Sequence, residues 1–141
     1  MVKVDKYNLP DDLYYNNDHS WAKIEEDGNV RVGLDDFGQA IAGAIERLSV
    51  KKIGKVVNQN KPVASIETGK WVGPVRSPIS GEIVAVNEEA IENPSLINED
   101  PYGKGWIAII KPSNLQEDLK KLLHGADQVK KWMEKELKTR I

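Results

Sequence analysis

The chain has 141 residues, no cysteine and a formal net charge of −2 at pH 7. The lack of cysteine excludes a disulfide framework, a thiolate metal site and a cysteine nucleophile. The near-balanced charge provides no strong field for nucleic acid or an anionic membrane, and no apolar run is long enough to span a bilayer.

The first predicted elements are a β-hairpin and a short helix. Apolar and polar residues alternate over residues 21–25 and again over 30–34, and Asp27-Gly28-Asn29 between these runs is a turn sequence. Asp35 and Asp36 can cap a helix that carries Phe37, Ala40 and Ile41 on one side. Gly43 is placed to end this helix, and a strand over residues 44–50 follows.

A second hairpin lies at the centre of the chain. Strand patterns over residues 63–67 and 72–75 flank the turn Thr68-Gly69-Lys70-Trp71. A turn over residues 77–81 leads to a strand over 82–86. Residues 87–105 read as loop with a helical turn near 88–91, and a strand over 106–111 closes the β region.

The tail has the pattern of two helices. Ser113 with Gln116 resembles a capping box, and Leu115, Leu119, Leu122 and Leu123 share one helix face. Gly125 breaks this helix, and Asp127 can cap a last one that bears Val129, Trp132, Met133 and Leu137. The sequence therefore predicts one mostly β domain over residues 1–141, with a core at about 14–112 and C-terminal helices at about 113–138.

Sites for catalysis or metal binding are not apparent in the sequence. His19 and His124 are far apart, and neither has ligand spacing around it. There is no phosphate-binding glycine loop and no local Ser–His–acid motif. We therefore expect no catalytic residues, no metal and no enzymatic activity. The first residues lack the apolar segment of a signal peptide, so we expect a cytoplasmic protein.

The turn that contains Lys70 is the best candidate site. A tight turn between two strands holds the backbone still and projects its side chain into solvent, and Gly69 permits unusual backbone angles there. A lysine on such a turn suits a tethered group, because a long arm on a rigid base raises the local concentration of a reactive group at a partner. The pattern alone fits an ordinary surface lysine better than a modified one.

Several motifs in fixed order resemble the H protein of the glycine cleavage system, from about residue 14 to about residue 135. These motifs are Asp18-His19-Ser20-Trp21, Val32-Gly33-Leu34, Ile66-Glu67-Thr68-Gly69-Lys70, the run from Ser77 to Asn87, the run from Asn98 to Trp106, and Ile109-Ile110-Lys111-Pro112. The resemblance implies a barrel-sandwich hybrid of the lipoyl/biotinyl type. It also implies lipoate attached covalently to Lys70 as N6-lipoyl-lysine.

The resemblance further implies partners and site residues. A lipoate ligase or transferase would load the chain, and glycine decarboxylase, aminomethyltransferase and lipoamide dehydrogenase would act on the arm in turn. Glu67, three residues before the lysine, would help the attaching enzyme recognise the turn, or is a plain strand-edge carboxylate. Trp71 would pack on the arm, contact a partner or lie on the sheet. His19 would form a wall of the arm's groove, or is a structural histidine beside Trp21.

Two other carriers with a tethered group fit less well. Biotin carriers usually flank the lysine with methionines, whereas Gly69 and Trp71 flank Lys70. A phosphopantetheine carrier would need a serine at a helix start in a helical fold.

Three residues depart from the usual H-protein pattern. Ser20 follows His19 where Glu is usual, Trp71 follows the lysine where a small residue is usual, and Pro74 stands where Asp is usual. The two acids help to hold a cationic aminomethyl group in the family, so we expect poor aminomethyl acceptance here. The departures leave open a second role, that of H-like lipoate-binding proteins, which carry sulfur intermediates for heterodisulfide-reductase-like complexes.

Overall fold

The computed structural model describes residues 1–140, so only Ile141 of the predicted 1–141 domain lies outside the description. The strands are β1 (Val2–Val4), β2 (Tyr7–Leu9), β3 (Tyr14–Tyr15), β4 (Ser20–Ile24), β5 (Val30–Leu34), β6 (Ile45–Val50), β7 (Val56–Val57), β8 (Pro62–Thr68), β9 (Val72–Arg76), β10 (Gly81–Val86), β11 (Ala108–Pro112) and β12 (Leu123–His124). The helices are α1 (Asp36–Ala42), α2 (Glu88–Glu92), α3 (Ser95–Glu99), α4 (Leu115–Leu119) and α5 (Ala126–Arg140).

The strands form two main sheets and one separate hairpin. A seven-stranded sheet has the order β12-β3-β4-β5-β11-β10-β7, and a three-stranded sheet has the order β6-β8-β9. Every strand pair in both sheets is antiparallel. β1 and β2 pair only with each other. The predicted hairpins 21–25/30–34 and 63–67/72–75 are confirmed as β4–β5 and β8–β9.

Two apolar clusters hold the elements together. The larger one fills the space among β4–β6, β8–β11 and their connections, and includes the fully buried Val32, Val63 and Ile83. The smaller one joins the N-terminal hairpin to α5 through Leu9, Trp21 and Met133 among others. Burying such side chains removes apolar surface from water, which is the main favourable contribution to folding. α5 is thus packed on the β region by its apolar face.

The first helix agrees closely with the sequence pattern. Asp35 is the N-cap of α1, and its Oδ1 accepts a hydrogen bond of 2.7 Å from the Gly38 N–H. Gly43 ends the helix with φ of 83°, a left-handed angle that costs glycine little.

Other elements differ from the prediction. The N-terminal hairpin β1–β2 and helix α3 were not predicted. The prediction that one helix carries Leu115, Leu119, Leu122 and Leu123 is wrong, because α4 ends at Leu119 and Leu123 belongs to β12. The capping box at Ser113 is also wrong, because α4 has Asn114 as its N-cap and no side-chain cap bond. α5 begins at Ala126, so Asp127 lies in its first turn and is not its cap.

Within residues 1–140, no helix has both the length and the apolar character needed to cross a bilayer. The same residues contain no cluster of His, Cys, Asp or Glu placed to hold a metal ion.

Candidate functional site

Lys70 lies at the tip of the β8–β9 hairpin, exposed to solvent. The Thr68 N–H donates a 2.8 Å hydrogen bond to the Trp71 carbonyl, which closes the turn around Gly69 and Lys70. The Lys70 N–H also donates to Thr68 Oγ1 at 3.3 Å. The strands behind the turn are paired from Glu67–Val72 back to Pro62–Arg76. The backbone is therefore fixed, while the Lys70 side chain projects outwards.

Gly69 does not have the backbone role that was expected. Its φ is not left-handed, so the turn does not depend on the special backbone freedom of glycine. A Cβ at this position would lie 3.1 Å from the Glu46 carboxylate, which is a tight approach. Glu46 on β6 is exposed, so its carboxylate could move aside, and the contact does not by itself require glycine at this position.

Trp71 folds back over its own strand. A Cβ added to Gly73 would come within 2.1 Å of the Trp71 indole, so the ring lies directly on the Gly73 backbone. Trp71 is nevertheless 48% exposed. The indole thus lies on the sheet, which was one of the expected alternatives, and packing of its exposed part on an attached arm stays a prediction.

A groove opens beside Lys70 with a volume of about 440 Å³. This volume lies within the usual range for small-molecule sites, roughly 300–1,000 Å³. The lining is mostly apolar, with a few polar groups. The lining residues are Asp18, His19, Leu34, Gly38, Ile41, Ala42, Ile66, Thr68, Lys70, Trp71, Pro74 and Arg76. Helix α1, the hairpin and the β3–β4 loop therefore meet around one cavity.

His19 joins this groove to the C-terminal helix. Its Nδ1 lies 2.8 Å from Asp35 Oδ2, and its Nε2 lies 2.6 Å from Glu136 Oε1 on α5. The ring stacks on Trp132 at 4.5 Å and tilts against Phe37 at 4.9 Å. His19 is 2% exposed and has a φ of 67°. His19 is thus a hydrogen-bonded, buried histidine that also lines the groove, and its contact with an attached arm stays a prediction.

The two carboxylates set the charge of the His19 imidazole. Burial alone would lower the pKa of His19, but the hydrogen bonds and negative charges of Asp35 and Glu136 outweigh it and raise the pKa above its ordinary value. Burial raises the pKa of the Asp35 carboxyl, even though His19 and the Gly38 N–H act to lower it. In the folded chain, His19 and Asp35 therefore each keep a proton to higher pH than the same side chains do in water.

Asn16 forms hydrogen bonds to the two chain segments that carry the groove residues Asp18 and Arg76. Its Oδ1 accepts hydrogen bonds from the Asp18 N–H at 3.0 Å and the Ser20 N–H at 2.9 Å. Its Nδ2 donates to the Arg76 carbonyl at 3.1 Å. Asn16 is 3% exposed, so these bonds are shielded from water. The loop that carries Asp18 is thus fixed to the end of β9, which carries Arg76.

The structure brings together some predicted site residues but not all of them. Lys70, Trp71 and His19 line the groove, whereas Glu67 and Gly69 do not. Glu67 lies on the outer edge, with its Oε2 3.9 Å from Arg47 Nε. Among the two substituted acid positions, Pro74 lines the groove and Ser20 is fully buried outside the lining.

Sequence reasoning missed three charged residues of this region, which are Asp18, Arg76 and Glu136. Asp18 was quoted only within a motif, although it is an exposed carboxylate at the groove. The strand alternation of β9 could have indicated that Pro74 and Arg76 share a face. No sequence signal connects Glu136 with His19, which is 117 positions away.

Comparisons with known proteins agree with this architecture. The family model described as Glycine cleavage H-protein matches residues 13–136. The chain is 51% identical over 136 residues to glycine cleavage system H protein 2 of Aquifex aeolicus, covering 94% of this chain and 84% of that protein. It is 43% identical over 137 residues to the probable glycine cleavage system H protein 2 of Saccharolobus solfataricus, covering 95% of this chain and 92% of that protein.

Among solved structures, the chain resembles the glycine cleavage system H protein of Mycobacterium marinum. The TM-score is 0.78 at 30% sequence identity, and the match covers 87% of this chain and 98% of the other. The predicted barrel-sandwich hybrid of the lipoyl type, with its C-terminal helix, is thereby confirmed.

Proposed function

We infer that this chain, which belongs to the glycine cleavage H-protein family, is a lipoyl carrier that bears its lipoyl group on Lys70. Lipoate bound covalently to a lysine is the cofactor of this family. The choice of Lys70 is our proposal. The observation that supports it is the exposed amine on a hydrogen-bonded hairpin turn, directly beside an apolar groove of about 440 Å³.

The residues of the groove fit such an arm. Leu34, Ile41, Ile66 and Pro74 offer apolar contacts to an aliphatic chain, and the Trp71 indole lies alongside. When bound, the lipoyl group supplies a disulfide that can be reduced, substituted and reoxidised. The chain itself holds the lysine still, shelters the arm and presents Asp18 at the groove as a carboxylate for a cationic cargo.

The partners follow from the family. We propose that glycine decarboxylase loads an aminomethyl group, aminomethyltransferase removes it and lipoamide dehydrogenase restores the disulfide. A lipoate ligase or transferase would attach the group, with Glu67 beside the turn as a recognition residue. The chain would perform none of these reactions by itself. A cytoplasmic location stays a prediction from the sequence.

Intact mass spectrometry tests the attachment site. The wild-type chain, produced together with an active lipoylation system, should gain the mass of one lipoyl group. Lys70→Arg should gain nothing, because a guanidinium does not form the amide. Lys61→Arg is the matched control, since Lys61 is an exposed turn lysine at the other end of β8 and should leave lipoylation intact. A lipoyl group on Lys70→Arg would refute the assignment.

A second candidate function is transport of sulfur intermediates for a heterodisulfide-reductase-like complex. The observation that favours it is the groove wall at Pro74, which is apolar where the family usually has an acid, while Ser20 at the other substituted position is buried outside the lining. The glycine–bicarbonate exchange reaction with glycine decarboxylase separates the two functions. Efficient exchange supports glycine cleavage, whereas exchange far below that of another H protein supports the sulfur role.

A further inference from the structure

Arg76 is a cation that lines the groove. It is half-buried at the end of β9. Its Nη1 donates one hydrogen bond of 3.2 Å to the Asn60 carbonyl, and no ion pair joins it to a carboxylate within residues 1–140. A guanidinium has five N–H donors and is always charged. Most of its binding capacity is therefore unused by the folded chain.

The backbone around Arg76 is held on both sides. Its carbonyl accepts from Asn16 Nδ2, and its strand pairs with Pro62 of β8. The adjacent Ser77 N–H donates to the Lys61 carbonyl at 2.8 Å, and the Asn60 N–H donates to the Ser77 carbonyl at 2.7 Å. The guanidinium thus starts from a fixed base, which lowers the entropy lost when it binds a group.

The other charges of the groove leave Arg76 as its available cation once Lys70 is acylated. An amide on Lys70 carries no charge. His19 is bound by two carboxylates, Asp35 and Glu136. Asp18 is exposed, so water screens its charge, and it forms no ion pair with Arg76. A lipoylated groove would therefore favour negative charge at Arg76.

We propose that Arg76 forms an anion subsite that binds the negatively charged sulfur of the reduced arm. The proposal rests on lipoylation of Lys70 and adds a residue to that site. A nearby guanidinium stabilises a thiolate over a thiol, so the reduced arm would ionise at lower pH than free dihydrolipoamide. The thiolate is the nucleophile in thiol–disulfide exchange, so Arg76 would act as a positioning residue for reoxidation by a partner's disulfide.

The rate of alkylation of the reduced arm by iodoacetamide, measured against pH by intact mass, tests this subsite. Because the chain has no cysteine, the arm provides the thiols that are measured. Arg76→Gln should raise the apparent pKa of the more acidic thiol by about one unit. The thiolate fraction at pH 7 then falls about tenfold. A thiolate from a thiol of higher pKa is more nucleophilic, so the alkylation rate falls by only about threefold.

Arg47→Gln is the matched control. Arg47 is an exposed arginine on β6 beside the same hairpin, but it does not line the groove. This variant should titrate like the wild type, and Arg76→Lys should keep most of the lowered pKa because it keeps the charge. In the wild type, added salt should raise the thiol pKa, because it screens the attraction between the guanidinium and the thiolate. This last measurement needs no variant to fold.

Three outcomes decide the proposal. Equal titration of Arg76→Gln and wild type overturns the subsite and leaves lipoylation of Lys70 intact. Equal shifts in Arg76→Gln and Arg47→Gln overturn it as well, because they indicate a general field and not a binding contact. If the wild type gains no lipoyl thiols at all, the proposed function fails and the subsite fails with it.

Discussion

Two tryptophans in this chain each lie on a glycine, one inside the fold and one beside the lysine. Trp21 of β4 covers its cross-strand partner Gly33, where an added Cβ would come within 2.6 Å of the ring. Trp21 is fully buried, and its Nε1 donates a 3.0 Å hydrogen bond to the Pro101 carbonyl. Trp71 covers Gly73 with an even closer approach of 2.1 Å, but it is 48% exposed.

The contact between a tryptophan ring and a glycine therefore occurs in two different settings, one buried and one exposed. Trp21 belongs to the buried anchor, which we define as Trp21, Gly33, His19, Asp35 and Glu136. Nearly every polar group of this anchor has a partner, and it fixes the floor of the groove and α5. Trp71 belongs to the exposed hairpin, residues 62–76, where the backbone is paired but the side chains at the tip face solvent. The buried anchor is thus the rigid part of the site, and the tip of the exposed hairpin is the part that is open to solvent.

The largest loss in the free energy of unfolding is expected from His19→Asn. Asparagine tolerates the left-handed angle at this position, so the change tests the side-chain contacts and not the backbone. It removes the ring whose nitrogens contact Asp35 Oδ2 and Glu136 Oε1, and breaking a buried pair of this kind costs about 3–5 kcal/mol. Urea unfolding measures the loss.

Lys70→Ala is the control from the exposed hairpin, and it should change the free energy of unfolding by less than about 0.5 kcal/mol. Similar losses for His19→Asn and Lys70→Ala would show that the buried anchor does not carry the stability assigned to it.

A smaller difference is expected between Gly33→Ala and Gly73→Ala. At Gly33 the new methyl group meets a buried ring that cannot move away, so overpacking should cost about 1–3 kcal/mol. At Gly73 the ring can swing into solvent, and the loss should stay below about 1 kcal/mol. Urea unfolding compares the two variants.

Gly73→Ala should also displace the indole from its strand. Tryptophan fluorescence should therefore change in Gly73→Ala, and Trp71→Ala should cancel the remaining cost of the added methyl group in the double variant. A larger loss for Gly73→Ala than for Gly33→Ala would reverse the assignment of the rigid and open regions.

The smallest change in the free energy of unfolding is expected when the pH is raised. Because the pKa of His19 is raised in the folded chain, the native state binds this proton more tightly than the unfolded state. The resulting stabilisation is fully present below the ordinary histidine pKa, about 6.5, and is lost as pH rises through the folded pKa. A neutral imidazole still donates one hydrogen bond, so only part of the interaction is lost.

Urea unfolding of the wild type at several pH values from 6 upwards measures this decline. His19→Asn should show a weaker decline over the same range. Equal slopes in the two proteins would assign the pH dependence to other groups.

The local elements of this fold were predictable from local chemistry. Asp35 before an apolar helix face and Gly43 after it predicted α1, and the alternating runs around Asp27-Gly28-Asn29 and around Lys70 predicted both hairpins. These signals come from residues within a few positions of one another. Elements that depend on distant partners were missed, such as β12, which exists only by pairing with β3.

The site follows the same rule. Lys70 was predicted because its turn and its motif are local. The family resemblance implied a groove with His19 as a wall. Its other walls were not predicted, because they come from the β3–β4 loop, α1 and the hairpin, which are brought together only by folding. Gly69 was assigned a backbone role, whereas the structure gives it no left-handed angle. Contacts across 50 or 100 positions leave no periodicity to read.

The central claim is that Lys70 carries the arm in the living cell. Peptide mapping by tandem mass spectrometry of the chain isolated from its native host tests this most directly. We predict a lipoyl group on the peptide that contains Lys70 and on no other lysine. An unmodified Lys70 in lipoate-replete cells, or a lipoyl group on a different lysine, would contradict the account.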